Sequence, residues 1–247
     1  MAEVPQPPRR YRAALIDLDG TLVDTLSEIA AASNAMLADA GRPPVSEADV
    51  AAAVGEGAST LVARLLGPAD AARWLAVYLE HYRALNGSSA VLYPAALAGL
   101  TAMRDAGLAV ACVTNKPREL VGPLFERLGI ADRFDCIVGG GDTVDKKPHP
   151  APLLLACERL GVAPDDCVMI GDSKNDALAA VAAGMVSLTV PYGYPGSSSE
   201  ADRAHGLLER GVTHAIVADL LAAARWMSGD EAVVDVLAAT ASPGSVR

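Results

Sequence analysis

A short stretch near the start of the chain, LIDLDGTLVD (residues 15–24), places three aspartates beside a strongly apolar run. Asp17 and Asp19 are two residues apart, so their side chains point the same way if this run is a β-strand. Gly20 permits a sharp turn directly after them, and Thr21 adds a hydroxyl group. Because an isolated carboxylate is costly to bury, we expect a cation beside this group.

Polar residues with matching chemistry occur later in the chain. They are Asp172 at the end of CVMIGD, Thr114 and Asn115 at the end of LAVACVTN, and Lys147 in KKPHP. Three carboxylates brought together would repel one another unless a hard cation holds them, and Mg²⁺ suits such an oxygen-rich setting. Lys147 adds positive charge, while the Thr114 hydroxyl and the Asn115 amide can donate hydrogen bonds. The set predicts a magnesium and anion site with a carboxylate nucleophile inside it.

Apolar runs of strand length alternate with helical patterns along most of the chain. The strand-like runs cover residues 13–19, 108–115, 135–140, 167–172 and 185–190, with 214–217 as a weaker sixth. Helical patterns lie near residues 95–106, 117–129, 151–161 and 174–183. The strand-like runs are continuously apolar, which is typical of a parallel sheet covered on both faces. We predict a doubly wound, Rossmann-like α/β fold whose candidate residues lie at the carboxyl ends of strands, where such sheets bind ligands.

One interval interrupts this alternation, between the first strand-like run and the second. It shows only helical patterns, at residues 26–40, 47–54, 58–66 and 69–85. We therefore predict an inserted, all-helical cap over residues 25–93, joined to the core through LVDT and VLYPA. The α/β catalytic core would then comprise residues 12–24 and 94–227. Residues 1–11 are predicted to be a disordered leader, and residues 228–247 a C-terminal tail.

Bulk properties exclude several classes of protein. The formal net charge of -10 argues against a non-specific nucleic-acid binder, which needs a basic surface. No apolar run reaches the length of a membrane helix, and the first ten residues lack the apolar region of a signal peptide. The four cysteines are widely spaced, as expected for reduced, buried thiols. We expect a cytoplasmic protein, monomeric or homodimeric, that binds neither nucleic acid nor membrane.

Four motifs, DLDGTLVD, VTNK, KKPHP and GDSKND, occur in this order, each at a predicted strand end or loop. In this arrangement the chain resembles the haloacid dehalogenase superfamily, whose first motif is DxDGT, over roughly residues 12 to 225. The resemblance implies that Asp17 is a nucleophile that forms an aspartyl-phosphate and that Asp19 is the general acid and base. It further implies that Thr114 binds the phosphoryl group, with Asn115 beside it, and that Lys147 neutralises charge on the nucleophile and phosphate.

The same resemblance implies a set of magnesium ligands. Asp172, Asp17 and the backbone carbonyl of Asp19 would hold the ion, and Asp176 would orient a bound water or Lys147. Other roles stay open for some of these residues. Asp176 could be an ordinary first-turn helix acid. Thr114 could simply cap the helix that follows it, and Lys146 competes with Lys147 for the lysine position.

A reaction class also follows from the resemblance. Asp19 is similar to the acid/base aspartate that separates phosphatases from dehalogenases, and a cap after the first motif is typical of small-molecule phosphatases. The segments 54–66, 139–154 and 192–196 resemble phosphoglycolate phosphatases. This implies a Mg²⁺-dependent enzyme that hydrolyses a small phosphorylated metabolite, 2-phosphoglycolate. A sugar phosphate, nucleotide or pyrophosphate is the alternative substrate, and a phosphomutase is a more distant alternative.

Residues of the cap could contact the part of the substrate that lies beyond its phosphate group. Gly55 and Gly57 permit a tight loop that could reach toward the phosphate. Arg64 is a candidate partner for a substrate carboxylate, because a guanidinium can bind one bidentately, although a solvated helix arginine is the alternative. Glu56 departs from the phosphoglycolate phosphatase pattern and would repel such a carboxylate. We therefore expect Glu56 to point away or to pair with a cation such as Arg64.

Overall fold

The computed structural model describes residues 11–194 and 203–229, together with the short strand at 234–235. Its nine β-strands are β1 (Ala13–Ile16), β2 (Val23–Asp24), β3 (Val91–Leu92), β4 (Ala109–Pro117), β5 (Cys136–Gly140), β6 (Cys167–Gly171), β7 (Val186–Thr189), β8 (Ala215–Val217) and β9 (Val234–Asp235). The predicted leader, apart from its last residue, and most of the predicted tail lie outside the described residues, as do the last two positions of the 192–196 segment.

The described residues also form ten α-helices. They are α1 (Leu26–Asp39), α2 (Glu47–Ala53), α3 (Ala58–Leu66), α4 (Ala71–Leu85), α5 (Ala96–Asp105), α6 (Arg118–Leu128), α7 (Ala151–Leu160), α8 (Lys174–Ala183), α9 (Ala204–Glu209) and α10 (Leu220–Met227). None of these helices combines the length and apolar character that a membrane span requires.

Seven strands form one sheet in the order β5-β4-β1-β6-β7-β8-β9. All neighbours are parallel except β8 and β9, which pair antiparallel. Each of the six strand-like runs contains a strand of this sheet, so the predicted doubly wound parallel core is confirmed. The strand β9 lies within residues 228–247, for which the sequence predicted only a tail.

The continuous apolar character of the strands reflects burial on both faces. In β1, Ala14 and Ile16 pack in one core with residues of α5, α6 and α10, whereas Ala13 and Leu15 pack in a second core with residues of α7 and α8. Because successive strand residues point to opposite faces, both sets must be apolar. The register is level in the centre of the sheet, since Ala13 pairs with both Ala109 and Cys167. The carboxyl ends of β1, β4 and β6 therefore meet at one edge.

Helices α1–α4 form the inserted cap, which confirms the predicted all-helical insertion. They lie between β2 and β3, which pair antiparallel as the two connecting segments. The cap has an apolar core of its own, with Met36, Val62 and Tyr82 among its buried side chains. The domain limits themselves, 25–93 for the cap and 12–24 with 94–227 for the core, stay a prediction.

A buried carboxylate fixes the segment that leads from the cap back to the core. Glu28, in α1, is 1% exposed, and its carboxylate accepts hydrogen bonds from the backbone N–H groups of Gly87, Ser89 and Ala90 at 3.0, 2.7 and 2.9 Å. Several backbone donors can satisfy a buried carboxylate that has no cation beside it. Glu28 therefore ties the first cap helix to the turn that follows the last one.

Two helices of the core approach each other closely at a glycine. A Cβ atom placed on Gly99, in α5, would lie 2.5 Å from the backbone carbonyl carbon of Leu220 and 2.6 Å from its Cβ, at the start of α10. Backbone atoms cannot move aside as the end of a flexible side chain can. The absence of a side chain at residue 99 is therefore a packing requirement.

We expect Gly99→Ala to lower the free energy of unfolding by about 1–3 kcal/mol, because the added methyl overpacks this contact. Thermal melting followed by circular dichroism measures the change. Ala98→Ser is the matched control, since it adds one heavy atom to the exposed side of the same helix. An unchanged melting temperature for Gly99→Ala would show that α10 can shift at little cost.

Candidate active site

The predicted motif residues converge where the carboxyl ends of β1, β4 and β6 meet. Asp17 directly follows β1, and its backbone N–H donates to the carbonyl of Ile170 in β6 at 2.9 Å. A cavity opens between this edge and the cap. Its lining includes seven residues predicted from the sequence: Asp17, Asp19, Gly55, Gly57, Thr114, Asn115 and Lys147. The parallel register therefore brings together residues that lie far apart in the chain.

Three carboxylates cluster at this edge around one lysine. Oxygen atoms of Asp17, Asp172 and Asp176 all lie within 4.8 Å of one another. The Lys147 ammonium lies 2.9 Å from Asp17 Oδ1 and 2.6 Å from Asp176 Oδ1, and it donates to the carbonyl of Val113 in β4 at 2.7 Å. Lys147 is thus the lysine that contacts the cluster. Its three N–H donors are all engaged by these contacts.

Burial and mutual repulsion perturb the groups of this cluster. Burial, together with the Asp176 carboxylate, raises the pKa of Asp17 to about 7, although Lys147 opposes the shift. Burial and the carboxylates of Asp176 and Asp17 also hold the pKa of Asp172 well above its usual value. Burial alone would lower the pKa of Lys147, but Asp17 and Asp176 outweigh it and raise that pKa. The cluster thus places three carboxyl groups around one lysine, and all its candidate ligand atoms are oxygens.

Asp172 is held in place from two sides. Its Oδ1 accepts from the Thr21 hydroxyl at 3.1 Å, and its Oδ2 accepts from the backbone N–H of Tyr194 at 2.9 Å. A Cβ atom on Gly193 would lie 2.1 Å from the same Oδ2, so only glycine lets the chain pass this closely. The Tyr194 hydroxyl donates to Asp24 Oδ1 at 2.9 Å, where the chain enters the cap, and accepts from the backbone N–H of Thr25 at 2.6 Å.

Asp19 is separate from the three-carboxylate cluster. Its Oδ1 accepts from the Thr25 hydroxyl at 2.6 Å and from the Lys116 ammonium at 3.0 Å. The Lys116 side chain is only 2% exposed, lies 4.3 Å from the centre of the Tyr82 ring, and donates a hydrogen bond to the Tyr82 hydroxyl. Each of the two predicted catalytic aspartates therefore has its own buried lysine.

The glycine loop of the cap is seated on the core. Gly55 and Gly57 have φ angles of 117° and 88°, in the region that side chains disfavour. The carbonyl of Gly55 accepts from the amide groups of Asn115 at 3.0 Å and Asn175 at 3.2 Å. Asn115 also donates to the carbonyl of Lys147 at 2.9 Å and accepts from its N–H at 3.0 Å. The Asn115 side chain therefore joins its own segment to the Gly55 loop and to the Lys147 loop, and it also lines the cavity.

The structure gives Arg64 a different place from the one proposed from the sequence. Arg64 is absent from the cavity lining within the described part of the chain. Its guanidinium lies 2.5 Å from Glu56 Oε1 and donates to the carbonyl of Ala53, at the end of α2, at 2.9 Å. The reason is local, because the Glu56 carboxylate and the Ala53 carbonyl accept hydrogen bonds from the guanidinium and hold it outside the cavity. Glu56 pairs with this cation, which was one of the two placements expected for it.

A family model described as haloacid dehalogenase-like hydrolase matches residues 11–184. The chain belongs to this family. It is 42% identical over 195 residues to "Phosphoglycolate phosphatase, plasmid" of Cupriavidus necator, an alignment that covers 76% of this chain and 84% of the relative. Identity to a phosphoglycolate phosphatase of Chromobacterium violaceum is 38% over 199 residues, covering 77% and 90% of the two chains.

Solved structures show the same fold over most of the chain. The crystal structure of a predicted phosphoglycolate phosphatase from Haemophilus somnus superposes with a TM-score of 0.78 at 28% identity, covering 89% of this chain and 99% of that one. The crystal structure of a "putative phosphoglycolate phosphatase" from Lactobacillus delbrueckii superposes with a TM-score of 0.77 at 25% identity. In both cases the match extends over nearly the whole of the solved chain.

Sequence reasoning missed several residues of this haloacid dehalogenase-like site. Lys116 lies inside the VTNK motif, but no role was derived for it; its position next to Asn115 at the end of an apolar strand was the available signal. Tyr78 and Tyr82, four residues apart on α4, line the cavity from the cap. Their helical spacing is equally typical of core residues. Tyr194 lies in the segment 192–196, which resembles phosphoglycolate phosphatases, but the resemblance alone does not indicate its contacts.

Proposed function

We propose that this haloacid dehalogenase-like hydrolase is a Mg²⁺-dependent phosphatase that releases phosphate from 2-phosphoglycolate. The observation that carries the proposal is the pairing of two aspartates with separate buried lysines beside one cavity, the buried Asp17 with Lys147 and the partly exposed Asp19 with Lys116. The activity named for the relatives from Cupriavidus necator and Chromobacterium violaceum supports it. A monomeric or homodimeric state and a cytoplasmic location, which suits four free, buried cysteines, belong to the same proposal.

In the proposed reaction Asp17 is the nucleophile and Asp19 is the general acid and base. A carboxylate oxygen of Asp17 attacks the phosphorus atom and forms an aspartyl-phosphate, while the bond from phosphorus to the bridging oxygen breaks. The carboxyl group of Asp19 gives its proton to the departing oxygen, so the alcohol leaves neutral. The Asp19 carboxylate then takes a proton from a water molecule, whose oxygen attacks the phosphorus and releases Asp17 and phosphate.

Neighbouring groups hold the phosphoryl group during these steps. Lys147 balances the charge of Asp17 at 2.9 Å and lies where phosphoryl oxygens would approach. The Thr114 oxygen accepts from the backbone N–H of Lys116 at 3.1 Å, which leaves its O–H free to donate to a phosphoryl oxygen. Asp176 contacts Lys147, and its other oxygen accepts from Ser173 at the start of α8. Asp176 therefore positions the lysine and also caps this helix.

The three-carboxylate cluster fits a divalent cation. Its candidate ligand atoms are hard oxygens, and it brings three carboxyl groups together around one lysine. We propose Asp17, Asp172 and the backbone carbonyl of Asp19 as the ligands, with Asp176 in support. When bound, Mg²⁺ would neutralise charge on the transferring phosphoryl oxygens.

The cavity favours a small leaving group. Its lining combines the polar residues of the core edge with apolar side chains of the cap. Ile29, Leu61 and Tyr78 close it from the cap side. A small leaving group such as glycolate suits a site that apolar cap side chains cover in this way.

We expect kcat/KM for 2-phosphoglycolate to exceed that for glucose 6-phosphate or AMP by at least about tenfold, because the apolar side chains of Ile29 and Leu61 face the leaving group and offer no partners to a sugar or a base. Release of free phosphate, measured with Mg²⁺ present, provides the comparison and also separates a phosphatase from a phosphomutase. A higher kcat/KM for the hexose phosphate or the nucleotide would assign the enzyme to the alternative substrate class.

Replacing the proposed nucleophile tests the covalent step. We expect Asp17→Asn to lower kcat by at least about a thousandfold, since the amide is nearly isosteric but a poor nucleophile. Asp105→Asn, which makes the same change at an exposed carboxylate, is the control. Both variants should melt as cooperatively as the wild-type protein. An Asp17→Asn enzyme that keeps more than about a tenth of the wild-type kcat does not use this residue as its nucleophile.

Metal removal tests the cofactor. EDTA should abolish phosphate release and added Mg²⁺ should restore it. Asp172→Ala should raise the Mg²⁺ concentration needed for half-maximal activity by about ten- to a hundredfold, as expected for loss of one carboxylate ligand. Asp132→Ala, at an exposed position, should leave that requirement unchanged. Ca²⁺ should inhibit, because its larger and less regular ligand shell suits in-line transfer poorly. Full activity in chelator would remove the metal from the mechanism.

A further inference from the structure

Lys116 is a buried cation that the phosphoryl chemistry alone does not require. Its side chain is 2% exposed, and an ammonium group is costly to remove from water unless it has partners. Two partners are present: Asp19 Oδ1 at 3.0 Å and the Tyr82 hydroxyl, whose ring centre lies 4.3 Å from the ammonium nitrogen. An ammonium group has three N–H donors. Within the described residues the third donor of Lys116 has no acceptor, and Lys116 lines the cavity.

The position of Lys116 relates it to the leaving group. Asp19 protonates the bridging oxygen in the proposed reaction, so the atoms of the leaving group lie near Asp19. Lys116 contacts that aspartate, whereas Lys147 contacts Asp17 on the phosphoryl side of the cavity. Lys116 is therefore the lysine on the leaving-group side. In 2-phosphoglycolate only one carbon atom separates the bridging oxygen from the carboxylate, so that carboxylate must lie close to Asp19 as well.

The rest of the cavity offers little else to an anion. Among the described residues that line it, Lys116 and Lys147 are the only cations. The cap contributes apolar side chains such as Ile29 and Leu61, and two phenols, Tyr78 and Tyr82. The Tyr82 hydroxyl lies beside the Lys116 ammonium and can donate its own hydrogen to an anion. A carboxylate placed there would meet one cation and one hydroxyl donor.

We propose that Lys116 and Tyr82 together bind the carboxylate of the leaving group and thereby determine which phosphate ester is hydrolysed. The proposal rests on the proposed phosphatase function and replaces the role that the sequence suggested for Arg64. One half of the receptor comes from the core and the other from the cap. It is therefore complete only when the cap is seated on the core, so it couples recognition of the leaving group to closure.

The test compares two substrates of similar size, 2-phosphoglycolate and 2-hydroxyethyl phosphate, which carries a neutral hydroxymethyl group in place of the carboxylate. Lys116→Met should lower the ratio of their kcat/KM values by about ten- to a hundredfold, as loss of a charged hydrogen bond implies, mainly through KM for 2-phosphoglycolate. Lys116→Arg should recover part of the ratio. Tyr82→Phe, which keeps the ring in the cap core, should lower the ratio by a smaller factor.

Arg64→Met is the matched control, because its guanidinium is paired with Glu56 outside the cavity, and it should leave the ratio unchanged. Equal losses on both substrates in Lys116→Met and no change of ratio in Tyr82→Phe would overturn the proposal, since Lys116 would then act only through Asp19. A wild-type enzyme that does not hydrolyse 2-phosphoglycolate would overturn the proposed function together with this inference. An unchanged ratio in an enzyme that does hydrolyse it would overturn the inference alone.

Discussion

The ion pairs of Lys147 with Asp17 and Asp176 are the interaction on which the site depends. The lysine nitrogen contacts the residue that follows β1, a carbonyl of β4 and the first turn of α8, so one atom fixes three elements. Without it, adjacent carboxylates would share a buried space with no cation from the chain, which is strongly destabilising. The same pairs explain why carboxylates can be concentrated at the carboxyl ends of apolar strands.

The two predicted catalytic aspartates, Asp17 and Asp19, contact different buried lysines. Asp17 and Asp19 are neighbours in the chain, yet the first belongs to the three-carboxylate cluster and the second faces Lys116 at the cap. A nucleophile and a general acid need different surroundings. Asp17 lies among other carboxylates, whereas Asp19 lies outside that cluster, and each contacts a different lysine. The leaving-group side of the cavity is therefore built partly by the cap, whereas the phosphoryl side is built by the core.

The sequence predicted the fold and the meeting of Asp17 and Asp172, because parallel strands of level register must end at one edge. Lys147 lies in a loop, and its place beside them was implied only by the resemblance, with Lys146 as the alternative. The sequence left Arg64 with more than one placement, a substrate carboxylate or Glu56 among them, and gave Lys116 no role. Which acceptor a cap guanidinium reaches depends on how α2 ends beside α3, and spacing along the chain does not encode that contact. Whether a lysine after a strand is solvated or buried depends likewise on the helix that covers it, here α4.

Tyr194 connects the carboxylate cluster to the entrance of the cap. Its backbone N–H holds Asp172, and its hydroxyl contacts Asp24 and Thr25 at the entrance to the cap. A cap rotation that moves Asp24 therefore also acts on an oxygen of the carboxylate cluster. Coupling of this kind is reciprocal: any free energy by which a seated cap favours an ion at Asp172 is the free energy by which that ion favours the seated cap.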